Sequence, residues 1–517
     1  MLYENTYRQD NYGSIKQIAA NTITASPNNA VHNNTSNASR GTTSDDDTIN
    51  EYDCGSITDS KNTAFTELVE IIRTSIPLSI TFLLQFFITT ITMITVGRIG
   101  TVELGAVSIA NVTFQVSVCI FIGLATCLDT LCPQAYGLGK KKLVLIYFLK
   151  CCLISLMAGL PIITLWWFSS SFLKLIIDDL KVIEFASLYL RIMILSVPGY
   201  IIFECGKKFL QSQHDFVAGQ KILFAAVPFD IALNFILVTK MGFIGAPIAV
   251  VLTYSLMGIL IFIKISQTEC WTLKSQLNWN SILQGDWSTL ISLAVPGIIM
   301  LEAEFFAFEI LTVLASKFGT TILAAQSIAA SLQALLFQIP FSFSVAASNR
   351  IAFHIGREDL DSCKIASKVT LLKIGPGLCL INFSIFILGR NHLSKLFTSD
   401  PQVIEDCSKL LVLIGINQLY DIFNVLSAGC LRAQGRQKIG GYLNIFCYYV
   451  IGLPLGIFLG FKTNLKVLGF WIGLGVGIMS LALAELYFVI KCNWVGIIEK
   501  SQKLHSSGHA NVIRDLV

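Results

Sequence analysis

Residues 76–110 read IPLSITFLLQFFITTITMITVGRIGTVELGAVSIA, and residues 295–329 read VPGIIMLEAEFFAFEILTVLASKFGTTILAAQSIA. At a shift of 219 residues Pro77 falls on Pro296, Ile80 on Ile299, Phe86 and Phe87 on Phe305 and Phe306, and Gly100-Thr101 on Gly319-Thr320. Leu104, Ala106, Ser108, Ile109 and Ala110 fall on Leu323, Ala325, Ser327, Ile328 and Ala329, and the register holds without a gap to Gly137 on Gly356. Apolar composition can align leucine with leucine, but it does not keep proline and glycine in step. Further on, FLQSQ at 209–213 resembles CLRAQ at 430–434, and GAPIA at 245–249 echoes GFWIG at 469–473. The chain is a duplication.

What is duplicated follows from the solvent it demands. Of 517 residues, 54% are hydrophobic and 14% charged, too little charge to cover a water-soluble surface. Apolar runs long enough to cross a bilayer begin near Ile71. They are expected at 74–96, 103–127, 143–168, 183–204, 218–238, 243–264, 288–314, 320–345, 367–389, 404–428, 440–460 and 467–490. The fold class is thus an all-α polytopic membrane protein of twelve helices in two pseudo-symmetric six-helix lobes, 66–270 and 271–492. Six is even, so the second copy enters the membrane in the same direction as the first. A parallel repeat of this kind places substrate between the lobes and moves it by their rocking.

The even-numbered loops carry Lys140, Lys141, Lys142, Lys207, Lys208, Lys274, Arg350, Arg357, Lys364, Arg432, Arg436 and Lys438. The odd-numbered loops carry fewer basic residues, which predicts cytoplasmic termini. Residues 1–65, rich in Asn, Ser and Thr with acids at Asp45, Asp46 and Asp47, have no apolar period. They read as a disordered cytoplasmic tail, on which the sequons at Asn34 and Asn37 are chance matches. Residues 493–517 form the other cytoplasmic tail. The fourteen cysteines, many beside apolar runs, are expected to be reduced packing residues, and none joins a Cys/His cluster of zinc spacing.

Charge at membrane depth is costly, so acids inside apolar runs are functional candidates. The seventh span holds Glu302, Glu304 and Glu309 within eight residues and no base. Three carboxylates cannot all stay ionised in such surroundings, and a group that gains and loses a proton there suits a proton carrier. On a straight helix Glu302 and Glu309 share a face, while Glu304 points about 140° from Glu309. The tenth span sets Asp421 one turn from Asn417 and Asn424, an ion- or substrate-binding pattern. In the first copy Gln85 stands where Glu304 stands in the second. Asp230, with Asn234 one turn on, is a further candidate, whereas Glu204 is expected to pair with Lys207 and Lys208 at the membrane interface. Phe305, Phe306, Phe308, Phe337, Phe341 and Phe343 could stack on flat organic cations, although packing explains any single one as well. Matched prolines at 77 and 296 suggest hinges; proline is also common in membrane helices.

Several functions are disfavoured. No phosphate loop supports direct ATP drive. No H-E-x-x-H or G-x-S-x-G points to an enzyme, and the net charge of +4 lacks the basic stripe of a nucleic-acid binder. No cofactor or bound metal is expected, only a driving ion.

Four segments carry a family resemblance: GLATCLDTLCPQAYG at 123–137, Pro296 to Glu309 with its E-F-F-A-F-E, IPFSFSVAASNRIAFHIG at 339–356, and LSAGCLRAQGRQKIG at 426–440. Together they resemble the multidrug and toxic compound extrusion (MATE) transporters, eukaryotic branch, over roughly 65–492. The resemblance implies a V-shaped pair of lobes exchanging protons or sodium for organic cations. It implies that Glu304 and Glu309 are the seventh-helix acids and that Asp421 is the tenth-helix carboxylate. Glu302 has no family counterpart, and Thr92 stands where bacterial members carry an aspartate. The expected protein is a monomeric, proton-coupled exporter of the plasma membrane or an organelle such as the vacuole. Glu304 and Asp421 would be its core, with Glu309, Asn417 and Asn424 assisting. A lipid or lipid-linked saccharide flippase is the alternative; basic residues in its cleft would suit anionic head groups better than these acids do.

Overall fold

The computed structural model describes residues 63–175, 179–277, 282 and 287–514, and every regular element among them is helical. The expected N-terminal tail lies, up to residue 62, outside the described residues. The first six long helices are α1 (Ala64–Val96), α2 (Thr101–Gly137), α3 (Lys141–Trp167), α4 (Leu180–Ser212), α5 (Ala218–Met241) and α6 (Gly245–Ser266). The second six are α7 (Ser288–Ala315), α8 (Thr320–Gly356), α9 (Leu360–Lys395), α10 (Pro401–Ala433), α11 (Gln437–Lys462) and α12 (Val467–Ile490), followed by α13 (Trp494–Arg514).

Among the described residues, ten helical stretches are long and apolar enough to cross a membrane. One of them, Ala218–Ser266, reverses at Gly242, whose φ of 62° is a left-handed turn open to glycine, and so supplies both α5 and α6. The 28 residues of α7 also exceed a bilayer's thickness, which makes twelve.

Prolines shape several of them. A proline ring clashes with the carbonyl four residues back. The chain relieves this by widening α9 into a π turn over Thr370–Ile374, ahead of Pro376, and α11 over Phe446–Gly452, ahead of Pro454. In α4 it tightens instead, to a 3-10 turn at Ile194–Ser196 before Pro198. Pro77, Pro161, Pro228, Pro296 and Pro340 remain inside continuous α-helix.

The duplication is visible where the halves meet. Helix α1 packs on α8, and α2 packs on α7. A Cβ on Gly123 of α2 would lie 2.6 Å from the Ile298 Cα of α7. Shifting both positions by the repeat gives Ser342 of α8 and Ser79 of α1, whose hydroxyls hydrogen-bond. One crossing is closed by glycine packing and its counterpart by a hydrogen bond. Gly137 and Gly356, themselves repeat partners, sit against each other's helix: added Cβ atoms would meet the Phe353 carbonyl at 2.4 Å and the Gln134 carbonyl at 2.1 Å. Only glycine allows that approach.

Further inter-lobe hydrogen bonds gather at the same end. Thr130 donates to the Arg432 carbonyl at 2.5 Å and Gln134 to the Ala433 carbonyl at 2.8 Å. Gln437 donates to Thr130, and Glu67 of α1 accepts from Arg350 of α8 and contacts His354. This end also bears Lys140–Lys142, Arg357 and Arg436, and is termed the basic end. The lobes are closed there.

Candidate coupling and substrate site

In the second lobe, α7 carries three acids whose surroundings differ. Glu304 points toward α10 and α12, where the charges of Asp421, Glu485 and Arg432 all reach it. Glu302 lies nearer α11 and α2. It is buried, neither carboxylate oxygen has a hydrogen-bond partner among the described residues, and its charge acts on Cys119 of α2 and Tyr449 of α11. Glu309 is half-buried near the far end of α7.

Asp421 is held from behind. Asn382 of α9 donates to Gln418 at 3.0 Å, and Gln418 donates to the Asp421 Oδ2 at 3.4 Å. The Asp421 Oδ1 has no partner among the described residues, which leaves an acceptor free for a ligand. Asn424 faces Asp421 from the next turn. Asn417 does otherwise: it accepts from Tyr420 and donates to the Trp471 carbonyl at 3.5 Å. Trp471 in turn donates to Gln326 of α8 at 2.7 Å. Asn417 therefore fastens α10 to α12, and periodicity could not separate this wall position from the cavity position one turn on.

Glu485 of α12 completes the cluster and escaped the sequence reading. It is fully buried with both oxygens unpartnered among the described residues. Its Oε1 would lie 3.3 Å from a Cβ on Gly440, beside Met300. The signal that could have found it is the rule applied to α7, a single acid inside the apolar run LALAELYF. Tyr448, in the π turn of α11, stands close enough to feel Glu304, Asp421 and Glu485, and its hydroxyl is buried and unpartnered among the described residues. A π turn redirects side chains by a fraction of a turn, and such bulges gather at functional sites. Arg432 is the buried cation here. It donates to Ser344 at 2.9 Å and lies over the Phe341 ring at 6.0 Å.

The first lobe is arranged differently. Gln85, the repeat partner of Glu304, donates to Glu204 at 2.7 Å and accepts from Lys207 at 2.9 Å. Glu204 and Lys207 pair at 2.9 Å. Of the expected partners Lys207 is present and Lys208 is not, and the expected snorkelling is corrected, since both side chains of the Glu204–Lys207 pair are buried. The helix continues past the predicted span end, and Gln85 supplies hydrogen bonds that make burial tolerable. Lys208 pairs with buried Asp129 at 2.8 Å. Asp230 accepts from Thr253 at 2.9 Å, keeps a second oxygen unpartnered among the described residues, and sits near Tyr189 and Tyr254.

The aromatic candidates divide. Phe341 stacks with Phe337 at 5.9 Å and meets Phe82 of the other lobe at 5.2 Å, while Phe308 packs on Trp471 at 5.6 Å. Phe305 and Phe306 are exposed.

Residues 77–236 and 296–458 match the MatE family model, each block beginning at one of the repeat prolines. An uncharacterized transporter of Saccharomyces cerevisiae is 38% identical over 449 residues, 85% of this chain and 64% of that protein. The chain thus spans less than two thirds of that relative's length. Multidrug and toxin extrusion protein 1 of Homo sapiens is 30% identical over 439 residues, 83% of this chain and 75% of that protein. Among solved structures, the eukaryotic MATE transporter AtDTX14 superposes with a TM-score of 0.79 at 25% identity, covering 85% of this chain and 98% of that one.

Proposed function

We propose that this chain, which belongs to the MATE family of transporters, exports organic cations in exchange for protons, with Glu304 and Asp421 alternately holding the cation and the proton. The observation that carries this reading is the imbalance of charge in the second lobe. Glu304, Asp421 and Glu485 share one neighbourhood with Arg432 as their cation. Carboxylates so placed cannot remain ionised together without a further positive charge. A bound organic cation supplies that charge, and so do protons. Each excludes the other, which is the requirement for exchange.

Glu309 lies on the same helix toward its far end and serves as an accessory acid. Asn424 orients Asp421, and Asn417 fixes the wall behind it. Glu302, Gln85 and Asp230 are secondary candidates, since they lie outside the cluster. With the basic end in the cytoplasm, as the positive-inside rule indicates, the closed end faces the cell interior, and alternating access would expose the site on the opposite side. Proton binding from that side then displaces the cation, and rocking of the lobes carries protons inward.

The test is efflux from proteoliposomes under an imposed pH or sodium gradient with ethidium as probe. Wild-type protein is expected to respond to the pH gradient, and Glu304→Gln to fall to the rate of empty vesicles while eluting as a monodisperse protein. Full pH-driven transport by Glu304→Gln, or a response to sodium alone, overturns the proton assignment.

A further inference from the structure

Helix α13 lies outside the twelve spans, yet it is anchored to both lobes. Its first turns, with Trp494, Ile497 and Ile498, join a hydrophobic cluster drawn mainly from α8, α9 and α10, and the helix packs on α8 and α9 of the second lobe. Two turns later Leu504 packs against the core of the first lobe. Between these anchors Ser501, itself buried, donates to the Gln134 Oε1 of α2 at 2.9 Å. The same Gln134 donates to the Ala433 carbonyl of α10 at 2.8 Å. One glutamine therefore joins α2, α10 and α13. His505 is fully buried, its ring nitrogens facing the Ser501 carbonyl at 2.7 Å and the Leu131 carbonyl of α2 at 3.4 Å. Its own carbonyl accepts from Lys140 at 3.2 Å, and its ring meets Tyr147 of α3 edge-on at 5.8 Å.

We propose that α13 is a strap that bridges the two lobes at the basic end and holds that end shut, so that its release sets how readily the transporter opens there. The physical argument is a thermodynamic cycle. Contacts that a segment makes with both lobes exist only while the lobes stay together at that end. They therefore stabilise the closed state by their own free energy and must be surrendered when Gln134 and Ala433 part. Alternating access requires that parting. The inference needs only lobe movement and not the identity of the driving ion or substrate.

His505 gives the strap a pH dependence. Burial pushes its imidazole below the ordinary histidine value and Lys140 acts in the same direction, against the pull of the two facing carbonyls. Tyr147 is the other titratable group against the ring. Because the docked ring binds a proton less readily than a free one, acidification favours the undocked strap, beginning as pH falls through the free histidine range near 6.5.

The test uses the full chain in nanodiscs and proteoliposomes. Leu504→Asp places a charge in the first lobe's core contact and is expected to undock the strap. Hydrogen exchange should then rise in residues 494–506 and also in 128–137 and 429–435, and ethidium efflux should speed up about five-fold, the shift expected for one lost hydrogen-bond equivalent. If the strap undocks but exchange at 128–137 is unchanged, or if efflux is unchanged or slower, the proposal fails. Should Leu504→Asp aggregate, Ser501→Ala decides by the same readouts. His505→Gln should keep the seam's exchange pattern but flatten its rise between pH 7 and pH 5; an unaltered rise removes the histidine from the device. A wild-type chain that transports no ethidium counts against the proposed function, while the exchange readout still decides the strap.

Discussion

The two lobes descend from one repeat yet treat buried charge in opposite ways. In the first, Glu204 meets Lys207 and Asp129 meets Lys208, each at under 3 Å, and Gln85 binds both members of the former pair. In the second, the position of Gln85 is taken by Glu304, which faces two more acids and a single arginine. A buried charge with its partner is an anchor, because separating the pair strands an ion in low dielectric. A buried acid without a partner is a group whose charge can change. The first lobe thus pairs Glu204 and Asp129 with lysines and leaves Asp230 without a cation, whereas the second gathers three acids around one arginine.

Substitutions can break this contrast or sharpen it. The largest effect is expected from Asp421→Asn, which should remove pH-driven efflux as Glu304→Gln does, while Asp230→Asn should leave the pH profile of transport in place. Equal loss in both would mean that the first lobe also carries the exchanged ion. Lys207→Met should leave Glu204 buried without its cation and destabilise the protein by about 3–5 kcal/mol, read as a drop in thermal unfolding temperature. Adding Glu204→Gln should recover most of that loss, and no recovery would show that Lys207 acts through packing. Gly356→Ala brings a methyl against the Gln134 carbonyl. About 1–3 kcal/mol of strain should loosen the basic end and raise hydrogen exchange in 128–137. Smallest of all, Ser79→Ala removes one inter-lobe hydrogen bond, about 1 kcal/mol. It should change the transport rate less than Gly356→Ala does, and the reverse order would place the hinge at the α1–α8 crossing.

Sequence alone determined the membrane setting, the helix count, the duplication and the acids on α7 and α10. These are properties of composition and register: lipid rejects charge along a span, and a repeat keeps its prolines and glycines in step. Once the structure shows one crossing, the residue shift of the repeat locates its counterpart, since Ser79 and Ser342 are the images of Ile298 and Gly123. Tertiary structure alone decided which acids share a neighbourhood. Glu302 and Glu304 are two residues apart, yet only Glu304 feels Asp421, Glu485 and Arg432; Asn417 fastens α10 to α12 one turn from Asp421, and Glu485 joins the cluster from 64 positions beyond Asp421. It also buried the Glu204–Lys207 pair that was expected to snorkel, and it brought α13 across the seam. The reason is that periodicity fixes an angle around one helix axis, whereas electrostatic neighbourhood depends on which helix stands opposite and how far its prolines have bent it.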